Sequence, residues 1–193
     1  LFLTGEEENG AAFADLYDPF RLKVYLFDRV SAHLIYLKNQ DVLKREQGDL
    51  GLLQQRSDQI CREQGFEPIP VMAEPSLPRT VGAYSANEKR IMLGPDAERL
   101  DMLLHELAHY FTIERLSREN RGRDYAYYGH GPLFVETLVT LYSRYGGVNF
   151  DYLFDSAVER GLLGPQSHVC ELRKKYQLYR DRSDSFVAYK APH

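Results

Sequence analysis

The chain has no tryptophan, only two cysteines, and no apolar run long enough to cross a bilayer. A spanning helix needs about twenty consecutive apolar residues, so no membrane partner is expected. Cys61 and Cys170 stand far apart and outside any CxxC pair, which excludes a four-cysteine zinc site and a disulfide framework. Such sparse cysteine usage fits a reducing compartment, and a cytoplasmic location is expected. The opening LFLTGEEENG lacks the basic flank and long apolar stretch of an intact signal peptide. A basic excess is missing too, since 24 Lys and Arg face 28 Asp and Glu for a net charge of −4. Nucleic-acid domains gather positive charge on one face. Here the short clusters at 118–123 and 173–175 are interrupted by Glu119, Asp124 and Glu171. They read as solvated faces, and no nucleic-acid partner is expected.

What is present suits one domain with a sizeable core: 193 residues, 44% apolar and 27% charged. Phe20, Val24, Tyr25, Phe27, Val30, Leu34, Ile35 and Leu37 recur at three- and four-residue steps, which predicts a long helix within 18–46. Residues 49–64 predict a second amphipathic helix stopped by Gly65. Four prolines in PIPVMAEPSLPRT then forbid helix, leaving Val71-Met72-Ala73 as a short strand. TVGAYSA and RIML, joined by Asn87-Glu88-Lys89, predict a hairpin. Asp96 is a suitable N-cap for a helix over about 97–116, with Leu100, Leu103, Leu104, Leu107 and Phe111 as its core stripe. Pro132 opens another helix to about Arg144, with Phe134, Leu138, Leu141 and Tyr145 inward. Helices are expected at about 150–160 and 168–180, and a strand at 186–189.

Inside the apolar stripe lies LLHELAHY, residues 103–110. His105 and His109 are four residues apart, so a helix sets both imidazoles on one face, one turn apart. Two such nitrogens suit Zn2+ at about 2.0–2.1 Å. Glu106 is rotated by one residue, so it flanks the ion and is placed to take a proton from a water there. This is the H-E-x-x-H arrangement of zinc hydrolases, in which the metal acidifies water and polarises a scissile carbonyl. Catalytic zinc takes three protein ligands. His130, flanked by Gly129 and Gly131 just before a helix, is the favoured third; Glu136 within that helix is the alternative. His33, His168 and His193 have no supporting context. Tyr125, Tyr127 and Tyr128 are candidates for stabilising an oxyanion, with Tyr127 and Tyr128 closest in sequence to His130, or else pack under the loop. Asp101, one turn before His105, orients an imidazole from behind or faces solvent. Arg121 and Arg123 are solvated loop charges or a clamp for a substrate carboxylate.

LLHELAHYF, followed by HGPLFVETLVTLY, resembles the SprT-like branch of zincin metallopeptidases and small bacterial metallopeptidases of that type. The resemblance covers about 67–146. It implies an α+β fold, mostly helical, with a small antiparallel sheet beside the H-E-x-x-H helix and helical extensions on either side. It implies zinc on His105, His109 and His130, with Glu106 as general base. It also implies an edge strand, sought in the hairpin ending at RIML, along which an extended protein or peptide substrate pairs. The chain has no four-cysteine ribbon or basic tail, so a role in DNA repair does not carry over. The expected activity is zinc-dependent endopeptidase. The alternatives are a non-catalytic zinc-binding regulatory or interaction module, and a repressor-cleaving metallopeptidase of the ImmA/IrrE kind. Oligomeric state is left open by the sequence.

Overall fold

The computed structural model describes residues 20–38, 48–118 and 129–163. In chain order these form α1 (Arg21–Lys38), α2 (Leu50–Gln64), β1 (Val71–Ala73), β2 (Gly82–Ser85), β3 (Arg90–Leu93), α3 (Leu100–Arg118), α4 (Pro132–Arg144) and α5 (Phe150–Glu159). The fold is α+β. None of the described helices is long and apolar enough to cross a membrane. The expected helix at 168–180 and strand at 186–189 fall outside the described residues.

α1 carries no glycine or proline and buries Val24, Phe27, Ser31 and Ile35. The sequence pattern is broader than this buried face. Tyr25, Val30 and Leu37, part of that pattern, are exposed among the described residues. α2 starts where the Asp49 carboxylate accepts the Leu52 N–H at 3.0 Å, and ends at Gly65 with φ +75°. A cap of this kind contributes about 1 kcal/mol. The Gln54 side chain ties α2 to the sheet: its Oε1 accepts the Val71 N–H at 2.7 Å and its Nε2 donates to the Ile69 carbonyl at 3.0 Å.

The sheet order is β1-β3-β2. The hairpin forms as expected, with Ala83 opposite Met92 and Ser85 opposite Arg90. β1, however, runs parallel to β3, so the sheet is mixed and not purely antiparallel. The reason lies in the proline-rich segment 74–81, which carries the chain past the place β3 will occupy. Arg79 grips Asp96 with two contacts of 2.8 Å, and the Asp96 N–H donates to the Arg79 carbonyl at 2.6 Å. Gly94 permits this approach, since a Cβ there would sit 2.4 Å from the Pro78 carbonyl oxygen. Asp96 is therefore a clamp on this segment and not the expected N-cap, and α3 begins at Leu100.

α3 is the spine. Leu100, Leu103, Leu104, Leu107, Ala108 and Phe111 are buried along it, each large side chain contributing roughly 1.5–3 kcal/mol by leaving water. One flank of α3 meets β2 and the other meets α4. α4 opens with Pro132 after Gly131. α5, capped by Asn149 accepting the Tyr152 N–H at 3.0 Å, packs against α4 and α1.

Candidate metal centre

The H-E-x-x-H residues lie in the middle of α3, where helix geometry is most regular. His105 and His109 project one turn apart, with their Nε2 atoms 3.2 Å from each other. His130 comes from the turn that leads into α4, and its ring centroid lies 5.4 Å from that of His105 and 4.8 Å from that of His109. Potential ligand atoms of these three residues all lie within 4.8 Å of one another, and they form the one such group among the described residues. Glu136, the alternative third ligand, is buried in α4 and is not part of it. Phe134 backs all three imidazoles, with centroid separations of 5.1, 4.3 and 4.9 Å to His105, His109 and His130. The ring is a fixed apolar wall that limits how far the imidazoles can turn.

The donor set fits zinc. Four ligands arranged tetrahedrally at about 2.0–2.1 Å stand about 3.3–3.4 Å apart, and the His105–His109 edge already has that spacing. The widest separation closes by at most about 1.4 Å to reach it. Three imidazole nitrogens are the donor set of many catalytic zinc sites, in which the ion displaces any proton they hold.

His105 is held from behind by a residue outside the motif. Asp28 of α1 places Oδ2 2.7 Å from His105 Nδ1. The Tyr142 hydroxyl, buried in α4, donates to Asp28 Oδ1 at 3.0 Å. Burial keeps that hydroxyl protonated by pushing it well above the usual tyrosine range. With Nδ1–H given to Asp28, the Nε2 lone pair of His105 faces His109. Burial pulls His105 down, but the charge and hydrogen bond of Asp28, with Glu106 and Asp101 adding, carry it up to about 9. A proton then sits where a cation fits. His109 moves the other way: burial, reinforced by its two histidine neighbours, takes it well below the usual range, against an opposing hydrogen bond to the Gly129 backbone.

Glu106 reaches toward β2 beside the imidazoles, with the charge of His105 acting on it. Its carboxylate is buried and accepts the backbone N–H of Tyr84. Burial raises it to about 7, against the lowering effect of His105 and of that hydrogen bond. Gly82 makes the approach possible: a Cβ there would lie 2.8 Å from Met102 Cγ and 2.9 Å from Glu106 Oε1. Because the Tyr84 N–H points at Glu106, it points away from β3, along the outer edge of β2. Among the described residues no strand pairs with that edge. Of the hairpin in which an edge was sought, RIML is the central strand β3, because β1 fills its other side, and β2 is the edge.

Asp101 does not orient His105 directly. Arg99 holds it with contacts of 3.2 and 2.9 Å. His33 lies exposed on α1. Tyr125, Tyr127, Tyr128, Arg121, Arg123, His168 and His193 fall outside the described residues. Sequence reasoning missed Asp28, Tyr142 and Gly82. One signal for Asp28 was present: it is the sole acid of α1 and falls on the buried stripe Val24-Phe27-Ser31-Ile35.

No family model, curated protein or solved structure matches the chain.

Proposed function

We propose that the protein is a zinc-dependent metallopeptidase of the zincin kind, cutting an extended protein or peptide substrate. The observation that carries this reading is the convergence of His105, His109 and His130 on one point, beside the buried Glu106 carboxylate of the same helix. Zinc held by the three imidazoles supplies Lewis acidity to a water and to a carbonyl oxygen. Glu106, raised to about 7 by burial, takes up a proton near neutral pH and returns it to the leaving amine. The Tyr84 N–H keeps that carboxylate turned toward the substrate side. The outer edge of β2 offers backbone groups to an extended chain, which is how a sheet edge holds a peptide. Phe134 and the apolar stripe of α3 fix the imidazoles.

The test is hydrolysis of unfolded casein by the zinc-loaded chain, with and without a chelator. Cleavage that stops with chelator and falls about a hundred- to ten-thousand-fold in Glu106→Gln, with zinc retained, is expected. A Glu106→Gln chain as active as the parent contradicts the mechanism. A zinc-loaded parent that cuts nothing favours the non-catalytic zinc-binding module.

A further inference from the structure

We infer that Asp28 is a positioning residue of the metal centre, and that through it α1 and the bound ion stabilise one another. The inference rests on the metal-centre reading above and adds a component that the H-E-x-x-H motif does not contain. Asp28 Oδ2 stands 2.7 Å from His105 Nδ1, while Tyr142 occupies Oδ1 at 3.0 Å. One carboxylate thus joins three helices: α1 through its own backbone, α3 through His105 and α4 through Tyr142. With both oxygens engaged, the carboxylate has little freedom to rotate, and the imidazole it holds presents Nε2 toward His109. A ligand imidazole that donates its other N–H to a carboxylate is fixed in tautomer and direction and is a better electron donor to the ion.

The converse follows from linkage. If Asp28 strengthens metal binding, bound metal strengthens the hold of Asp28 on His105 by the same free energy. Among the described residues, α1 also packs through Val24, Phe27, Ser31 and Ile35, with Leu34 beside them. Bound metal adds to that hold through the Asp28–His105 contact. A purely structural Asp28, serving only to fasten α1, has no such dependence.

The experiment is zinc affinity by competition with a chromogenic chelator, on the full chain and on Asp28→Asn and Tyr142→Phe, with amide hydrogen exchange of α1 measured with and without zinc. Asp28→Asn is expected to bind zinc about 10–100-fold more weakly, and Tyr142→Phe to fall between it and the parent. In the parent, zinc is expected to slow exchange across α1; in Asp28→Asn that slowing is lost. Should Asp28→Asn not fold, the parent's exchange decides, since α1 amides indifferent to zinc overturn the inference. So does zinc affinity equal to the parent's in both variants. A parent that binds no zinc at all overturns the metal-centre reading itself, an outcome distinct from a parent that binds zinc without needing Asp28.

Discussion

His105 holds a proton in the metal-free protein because Asp28 sits behind it and burial alone does not win. The sign of the consequence follows directly. Its folded value of about 9 exceeds the ordinary 6.5, so the native chain keeps a proton that the unfolded chain releases between those values. Stability from this group is full below about 6.5 and is lost as pH rises through 9, on the order of 3 kcal/mol. Glu106 acts in the same sense over a lower window, from 4.5 to about 7. His109, pushed down, acts oppositely and only below its ordinary value. Between pH 7 and 9 His105 therefore governs among the three. Thermal melts of the metal-free chain are expected to fall over that interval, and zinc, which displaces this proton, is expected to remove the decline. A metal-free melting temperature that is flat or rising from pH 7 to 9 contradicts this assignment. The motif residues were legible because helical spacing alone sets His105 beside His109. Asp28 was not, because its partner lies far along the chain and only tertiary packing joins them.

At the scale of elements, the contact between β2 and α3 sets the position of Glu106, the proposed general base. Gly82 leaves no side chain where Met102 and Glu106 need room, and the Tyr84 N–H then fixes the carboxylate. In Gly82→Ala the added methyl meets two flexible side chains, Met102 and Glu106, so the fold yields without collapse while the carboxylate shifts. Hydrolysis is expected to drop about ten- to a hundredfold, the scale that a displacement of about 1 Å costs, with zinc content unchanged. Activity equal to the parent's means that the contact does not set the base. The hairpin and the stop of α2 at Gly65 were readable because turn residues and periodicity are local signals. The parallel pairing of β1 with β3 was not, since it depends on the path of 74–81 and on the Arg79–Asp96 clamp. That same clamp moved the start of α3 past the expected cap. On α3 the stripe Leu100, Leu103, Leu104, Leu107 and Phe111 was legible, though Ala108 and Tyr110 are buried as well, whereas α1 has apolar residues on more than one side and its buried face is decided by its neighbours.

Across the whole molecule, the centre draws on every layer of the fold. α3 gives two imidazoles and the Glu106 carboxylate, the turn before α4 gives the third imidazole, and α4 adds Phe134 and Tyr142. α1 contributes Asp28, and the sheet contributes the Tyr84 N–H and the space at Gly82. The motif spans residues 105–130, yet α1, outside the stretch of resemblance, is part of the same site. Zinc content of the purified full chain, compared with His130→Ala and Glu136→Gln after equal zinc loading and desalting, tests this arrangement most directly. One zinc per chain in the parent and in Glu136→Gln, with nearly all of it lost from a folded His130→Ala, is the expected result. Full zinc retention in His130→Ala, or its loss in Glu136→Gln alone, contradicts the three-imidazole centre.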